Sequence, residues 1–243
     1  MASTPQFSII TPVLNGARFL SCYVKCLQAQ TFTDWEAIVV DDGSSDGTSK
    51  FFRQLTRGDS RFIFVCNTRF RQVSGPYQAR NVGLALVKGA FICFLDIDDY
   101  WAPCKLAYQR ACIERNPGIR LIFSDYIRAS RGSARCKVRR LPTLFTPHVL
   151  IHVLNPVPML TACVQRSSVE GLSFQPCNHE DYLFWHSVFR RLRPEEVCHC
   201  RELYAVYAVD PGSLSGNKLK AANWIWVCYR RLGYGRLFAL VFL

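Results

Sequence analysis

Two hydrophobic periods alternate along the first half of the chain. Phe7-Ser-Ile-Ile-Thr11 is an apolar run ended by Pro12 and predicts a buried strand, whereas Phe19, Leu20, Tyr23, Val24 and Leu27 recur at the spacing of one helix face. Trp35–Val40 is a β-branched strand that runs into an acidic turn, and Ser44 or Ser45 is placed to cap a helix through Phe51, Phe52 and Leu55. Phe62–Cys66 predicts a third strand. Tyr77–Val87 predicts a helix closed by Gly89, and Phe91–Leu95 a fourth strand that ends at Asp96. Pro103 suits a helix start continued by Leu106–Ile113, and Leu121–Ile127 reads as a fifth strand. Strand, helix and strand at this spacing require right-handed crossovers and a mostly parallel sheet. The expected fold class is therefore α/β, of the nucleotide-binding kind, with sites at the carboxyl ends of the strands.

The second half is less regular. Arg128–Arg140 holds six basic residues and no acid, and is expected to be a mobile loop. Leu144–Leu154 is apolar but interrupted by Pro147 and followed by Pro156. Thr161–Val164 and Leu203–Val209 read as strands, Asp181–Leu192 as a helix, and Ser213–Arg231 as helical after a Pro-Gly turn. With no internal repeat and no linker, the chain reads as one catalytic domain, residues 1–243. Its nucleotide half is about 6–127, its acceptor half about 128–220, and its basic and apolar tail about 221–243.

Composition narrows the class. The 243 residues are 49% hydrophobic, enough to offset the conformational entropy that keeps polar chains disordered. The twelve cysteines contain no C-x-x-C pair, which argues against zinc, and those within apolar runs (Cys66, Cys93, Cys163) are expected to act as small hydrophobes. No apolar stretch reaches the roughly 18 residues of a membrane span, and no secretory leader is evident, so a reducing, cytoplasmic setting is expected. The formal net charge of +12 calls for an anionic partner: nucleic acid, an anionic membrane surface or a phosphorylated small molecule.

The acids are more informative than the excess of bases. Eight of the eighteen lie in three groups: Asp41/Asp42/Asp46, Asp96/Asp98/Asp99 and Glu180/Asp181. The first two follow apolar strands, which places them at one sheet edge. Asp96-Ile97-Asp98-Asp99 sets three carboxylates within four residues. They repel one another unless a cation sits among them, and Mg²⁺ or Mn²⁺ shared with phosphate oxygens fits that need. An acid at the tip of Val39–Asp42 suits a ribose hydroxyl or a base N–H. Arg80, early in a helix, could grip a phosphate, although an isolated arginine there is ordinarily just solvated. Acids at a helix start, as in Glu180-Asp181, are ordinary capping, or else a general base near the crevice. His179 begins no H-E-x-x-H zinc site. Neither G-x-G-x-x-G nor G-x-x-x-x-G-K-[ST] is present, which argues against NAD(P) enzymes and P-loop NTPases.

In order, these pieces resemble the inverting glycosyltransferases of family 2, which have the GT-A fold, a Rossmann-like α/β/α sandwich. The matching segments are Ile10-Thr11-Pro12-Val13-Leu14-Asn15, Val40-Asp41-Asp42-Gly43-Ser44-Ser45-Asp46-Gly47-Thr48, Ala79-Arg80-Asn81-Val82-Gly83 and Asp96-Ile97-Asp98-Asp99-Tyr100-Trp101 with Lys105-Leu106. Glu180-Asp181-Tyr182-Leu183-Phe184-Trp185 is similar to the family's E-D motif, and Gly212-Ser213-Leu214-Ser215 with Lys218 to a late motif of enzymes that build bacterial surface polysaccharides.

The resemblance implies the roles. Thr11 and Asp42 would hold the base and ribose, with Pro12, Val13, Asn15 and Asp41 around them. Arg80 would lie near the diphosphate. Asp96 and Asp98 would bind the ribose and the Mn²⁺ or Mg²⁺, with Ile97 between them, and Asp99 would touch the donor sugar. Asp181, beside Glu180, would deprotonate the acceptor hydroxyl. The implied reaction moves a sugar with inversion from a nucleotide-sugar, UDP-linked by preference, to a saccharide or lipid-diphosphate-linked acceptor in cell-surface polysaccharide biosynthesis.

One departure stands out. Such enzymes usually carry a basic residue after the late-motif Tyr and often a His before Pro-Gly-Ser; here these are Ala208 and Asp210, leaving Lys218 or Arg201 as substitutes. The alternatives are a catalytically weakened nucleotide-sugar-binding chain, a nucleotidyltransferase, disfavoured by the Gly-poor Asn15-Gly16-Ala17-Arg18, and a basic nucleic-acid-binding module. The last is disfavoured because strand-tip carboxylates repel a polyanion and no nucleic-acid motif is present. Residues 1–122 carry a net charge of +4 and residues 123–243 one of +8. The excess thus lies where the acceptor is expected. Tyr229–Phe238, mixing basic and aromatic residues, suits either a packed C-terminal helix or peripheral contact with the cytoplasmic face of the inner membrane, and Arg128–Arg140 either a solvated loop or one that serves the same surface or the acceptor phosphate.

Overall fold

In the computed structural model, residues 4–67, 76–133, 135–210 and 218–235 are described, the side chains of 218–222 excepted. The chain runs β1 (Phe7–Val13), α1 (Leu20–Gln28), β2 (Trp35–Asp41), α2 (Thr48–Leu55), β3 (Phe62–Cys66), α3 (Pro76–Leu86), β4 (Phe91–Phe94), β5 (Tyr100–Trp101) and α4 (Lys105–Arg115). It continues through β6 (Leu121–Ser124), β7 (Tyr126–Ser130), β8 (Cys136–Arg139), α5 (Pro147–Leu150), β9 (Cys163–Gln165), α6 (Arg166–Val169), α7 (Glu180–Phe189), β10 (Val197–Cys200), β11 (Ala205–Val209) and α8 (Lys218–Arg231).

Seven strands form the main sheet in the order β10-β6-β9-β4-β1-β2-β3. Pairing is parallel except at β9, which runs antiparallel between β4 and β6. Alternation along β1 sends Ile9 to one face, with α1 and Leu106 of α4, and Ile10 to the other, with Phe94 and Phe123. On that second face α7 buries Phe184 and Trp185 against Phe94, with ring centroids at 6.2 and 6.0 Å. Helices thus cover both faces, and the tips of β1, β2, β4 and β6 emerge at one edge. A second sheet, β5-β11-β7-β8, stands beside that edge.

Gly83 seats α3, the helix that carries Arg80, on β1. A Cβ there would lie 2.5 Å from Ile10 Cγ2, a side chain with no exposed surface. Gly83→Ala is expected to destabilise the fold by about 1–3 kcal/mol through overpacking, seen as a lower urea midpoint at unchanged slope.

Several sequence expectations need correction. The run Leu121–Ile127 is not one strand: it breaks at Asp125 between β6 of the main sheet and β7 of the second. The expected loop Arg128–Arg140 is largely the β7–β8 hairpin, in register Ala129↔Cys136. All four residues of β8 are exposed, so no buried alternate positions marked it as a strand. Helix α2 starts after Gly47, which has φ 86°, and Asp46 rather than Ser44 or Ser45 accepts the Thr48 N–H at 3.0 Å. The short β5 and β10 carried too few residues to register as periods. All twelve thiols are free; Cys93 and Cys163 are buried as expected, but Cys66 is exposed at the end of β3. Among the described residues, no helix is long and apolar enough to cross a membrane.

Candidate active site

The three acidic groups do different work. Asp41 is buried at the tip of β2, where its Oδ1 accepts the Ser44 N–H at 3.0 Å and the Ser44 hydroxyl. Asp46 accepts the Ala17 N–H as well as Thr48's, each at 3.0 Å. Asn15, held at φ 52°, donates its N–H to Ser44 Oγ at 2.8 Å and accepts the Ser45 N–H at 2.9 Å. Asp41, Asp46 and Asn15 therefore lock the loop after β1 to the loop after β2. Asp42 alone of the first group lines the cleft, and Asn67 Nδ2 donates to it at 2.9 Å. Thr11 has no exposed surface, and its hydroxyl pairs with Tyr23 Oη at 2.7 Å. Its side chain faces α1 rather than the cleft, because alternation along β1 points it there. The cleft, about 310 Å³, is walled by Pro12, Val13, Leu14, Pro76, Ala79 and Ile97, with Asp42, Arg80, Asp96 and Asp98 as its charged groups.

Arg80 is the centre of the charge arrangement. It is not the solvated arginine that an isolated residue would suggest: its side chain is 6% exposed, with Nη2 2.8 Å from Asp96 Oδ1 and Nη1 2.7 Å from Glu180 Oε1. Burial alone would pull its pKa down, but Asp96 and then Glu180 override it and hold the guanidinium above its ordinary value. Burial pushes the Glu180 carboxyl up, and Arg80 opposes it. Arg80 Nε is buried without a partner. One guanidinium therefore ties the tip of β4 to the N-terminus of α7.

Asp98 and Asp99 diverge. Burial and then Asp96 raise the Asp98 carboxyl, while Arg131 opposes the shift from 3.3 Å. Asp99 turns away from the cleft into the second sheet, where the Ala208 N–H donates to it at 3.0 Å; burial, followed by Asp96, pushes its pKa up to about 9. Asp96 and Asp98 keep 35% and 37% of their side chains exposed, so both can ligate from the cleft. Their donors are hard oxygens, which suit Mg²⁺ or Mn²⁺. No cluster of three or more candidate ligands occurs among the described residues, so such an ion would need substrate oxygens to complete its shell.

Asp181 opens α7. Its Oδ1 accepts the Tyr182 N–H at 2.9 Å and its Oδ2 accepts from Asn155 Nδ2 at 2.8 Å. Together the two contacts fix the direction of the side chain. Asn155, which precedes Pro156, has no periodic or charge signal in the sequence. Two other residues were not among the expected ones. Asp125, 2% exposed, accepts from His199 Nε2 at 2.8 Å, the Leu141 N–H at 3.1 Å and Arg140 at 3.2 Å, so it anchors the base of the β7–β8 hairpin. Arg131, in the turn of that hairpin, reaches the Asp98 backbone carbonyl as well as its carboxylate. An acid directly after an apolar strand was a visible signal for Asp125; nothing local announced Arg131.

The departure in the late motif takes a definite form. Ala208 contributes its backbone N–H, and Asp210 collects two arginines, Arg18 at 3.1 Å and Arg131 at 3.0 Å. The acid at 210 thus gathers positive charge where the resembled enzymes carry it covalently. Residues 211–217, including Gly212-Ser213-Leu214-Ser215, and the side chain of Lys218 lie outside the described residues. Arg201 is exposed.

Known proteins agree with this architecture. The profile of Glycosyl transferase family 2 matches residues 8–137. The chain is 30% identical over 219 residues, 90% of its length and 83% of the relative's, to the Escherichia coli UDP-Glc:alpha-D-GlcNAc-diphosphoundecaprenol beta-1,3-glucosyltransferase WfgD. It is 28% identical over 236 residues, 94% of this chain and 88% of the relative, to the putative teichuronic acid biosynthesis glycosyltransferase TuaG of Bacillus subtilis. Among solved structures, S. aureus TarS 1-349 in complex with UDP-GlcNAc superposes with a TM-score of 0.73 at 19% identity, covering 93% of this chain and 66% of that one. The Pyrobaculum calidifontis mannosyltransferase PcManGT in complex with GDP-Man and Mn²⁺ gives 0.69 at 17%, covering 97% and 66%. The expected GT-A fold, a mostly parallel α/β sheet between helices, is thereby established. With its profile match spanning more than half the sequence, the chain belongs to glycosyl transferase family 2.

Proposed function

We propose that this glycosyltransferase moves a sugar from a UDP-sugar to a lipid-diphosphate-linked saccharide, with inversion, during assembly of a bacterial surface polysaccharide. The observation that carries the reading is the Arg80 bridge. By pairing with Asp96 and Glu180 it sets the carboxylates of the donor cleft beside the first turn of α7, where Asp181 stands. The relative WfgD, whose name specifies UDP-Glc and a diphosphoundecaprenol-linked acceptor, supports the choice of substrates.

In this reading Asp42, with Pro12 and Val13, forms the wall for base and ribose. Thr11, Asn15 and Asp41 act by shaping that wall, and Asp99 by holding β11 near the sugar. Asp96 and Asp98 would hold Mn²⁺ or Mg²⁺, which when bound stabilises the negative charge of the leaving diphosphate. Glu180 keeps Arg80 in place, and Arg80 keeps Asp96 directed at the cleft. Asp181 accepts the proton of the acceptor hydroxyl as its oxygen attacks the anomeric carbon from the face opposite the diphosphate. The bond to the diphosphate breaks in the same displacement, so the anomeric configuration inverts. A lipid-linked acceptor brings the chain to the cytoplasmic face of a membrane as a peripheral protein.

Titration calorimetry of the purified chain with UDP and Mn²⁺ tests the donor half. Binding is expected with Mn²⁺, and Asp98→Ala should weaken it by roughly tenfold or more, the worth of a charged contact. Failure of UDP, GDP and dTDP alike to bind would sink the proposal. The absence of side-chain cations at 208 and 210 favours a second reading, a donor-binding chain without turnover. Sugar transfer from UDP-glucose to a lipid-linked acceptor separates the two.

A further inference from the structure

We infer that the face built from residues 135–154 and the end of α8 docks on an anionic lipid bilayer. Leu144 is 81% exposed, Phe145 53%, Val149 51% and Leu154 37%, all within eleven residues. A stretch of this kind has no reason to stay in water unless it meets an apolar partner. No Asp or Glu occurs between residues 126 and 169. On one flank lie the exposed Arg135, Lys137, Arg139 and Arg140 of the β8 edge. On the other lies the exposed Arg230, whose Nη1 donates to the Tyr234 carbonyl at 2.6 Å; Tyr229 Oη donates to the Val153 carbonyl at 2.7 Å and His152 Nδ1 pairs with Tyr234 Oη at 2.6 Å, which brings the end of α8 there. Apolar side chains between two basic flanks match a bilayer interface, with acyl chains beneath and anionic headgroups on either side. The sequence pointed to the basic residues and to the apolar run Leu144–Leu154; that this run is exposed beside them is what the fold adds. Leu154 is followed by Asn155, the partner of Asp181, so an acceptor held in the bilayer would meet the proposed base at the edge of this face. That last step rests on the proposed transfer; the docking itself does not.

Sedimentation of the full chain with phosphatidylcholine vesicles, with and without phosphatidylglycerol, tests the surface. Binding is expected with phosphatidylglycerol and should fall as salt is raised. Leu144→Asp/Phe145→Asp and, separately, Lys137→Glu/Arg139→Glu should each weaken it by roughly tenfold or more, given that each basic residue near such a surface contributes about fivefold. These side chains are exposed, so thermal unfolding and UDP binding should stay as in the parent. No binding by the parent, equal binding to neutral vesicles, or full binding by Leu144→Asp/Phe145→Asp would overturn the assignment. Loss of UDP binding in the parent would instead strike the transfer reading alone.

A second inference starts from a different observation and rests on the reading of Asp98 as a metal-binding residue. We propose that Arg131 is a positioning residue that occupies Asp98 while the donor is absent and turns to the diphosphate when it arrives. Arg131 contacts the Asp98 carboxylate at 3.3 Å, Asp210 at 3.0 Å and the Phe19 ring at 4.4 Å from its centroid. Its N–H donates to the Val209 carbonyl at 2.9 Å, and Asp125 fixes the hairpin base through the Leu141 N–H, so the arginine is delivered on a built arm. A cation held by Asp98 would compete with Arg131 for that carboxylate. The repulsion between the two positive charges would be relieved by the negative charge of a diphosphate. Asp210 keeps the displaced guanidinium nearby, which gives the departure in the late motif a use. Arg131 thereby makes metal and nucleotide binding depend on each other.

Free Mn²⁺ followed by electron paramagnetic resonance, with and without UDP, tests this. Arg131→Gln should tighten Mn²⁺ binding several-fold without UDP and weaken UDP binding in the presence of Mn²⁺ by about tenfold, while Arg131→Lys recovers part of the latter. If Arg131→Gln folds normally and shifts neither affinity, or lowers both equally, Arg131 has no such role. If Asp98→Ala leaves Mn²⁺ and UDP binding unchanged, the underlying reading of Asp98 fails instead.

Discussion

Asp181→Asn is expected to lower kcat by about 10²–10⁴-fold, the usual contribution of a positioned general base, while changing UDP affinity less than twofold. The asymmetry follows from the contacts. Among the described residues Asp181 hydrogen-bonds to the Asn155 side chain and the first turn of its own helix, whereas the donor cleft is walled by β1, α3 and the tip of β4. An amide is isosteric and still accepts the Tyr182 N–H, so α7 keeps its start. It can no longer take a proton. Asn155→Ala should act in the same direction but more weakly, since it frees the carboxylate to rotate without removing it. Steady-state kinetics paired with calorimetry would read the split. A kcat within tenfold of the parent for Asp181→Asn would move the base elsewhere, and equal losses in kcat and UDP affinity would mean that the substitution disturbed the cleft.

Half of this site was legible before any coordinates because its acids sit at the ends of strands whose apolar cores are unmistakable. Val39-Val40-Asp41-Asp42 and Phe94-Leu95-Asp96 carry their geometry in the pattern: a buried strand must end at the sheet edge, and a polar residue there faces the crevice. What the pattern could not do was divide labour within a cluster. Asp41 and Asp42 are adjacent, yet alternation sends Asp41 into the Ser44 turn and Asp42 to the cleft. Thr11 shows the same limit, since period two turns its side chain toward Tyr23. The contacts that organise the charges span long stretches of sequence, 100 residues from Arg80 to Glu180 and 79 from Arg131 to Asp210. No local window holds both partners. The β7–β8 hairpin was hidden differently. An edge strand with both faces in water has nothing to alternate, so the segment Arg128–Arg140, with its six basic residues, read as a loop.

Arg80→Met is expected to cost about 3–5 kcal/mol of folding stability, because removing one member of a buried ion pair leaves the other charge uncompensated. Against the roughly 5–15 kcal/mol that holds a domain together, this is a large fraction. Glu180, with a side chain only 12% exposed, would face Asp96 without the guanidinium between them. The predicted remedy is protonation. Burial already raises the Glu180 carboxyl in the parent and Arg80 restrains that rise, so without Arg80 it should go further. A carboxyl whose folded pKa lies above its unfolded value binds protons more tightly in the folded state. The variant should therefore gain stability as pH falls toward the unfolded value of about 4.3 and lose it as pH rises through the folded pKa. Glu180→Gln in the same chain should restore much of the loss and flatten that pH dependence, since the buried charge is gone and Asp96 can turn to water. Urea unfolding of the parent, Arg80→Met and Arg80→Met/Glu180→Gln across mildly acidic to neutral pH measures all three. A single variant as stable as the parent, or a double variant no better than the single, would show that the bridge between β4 and α7 is not what holds these carboxylates together.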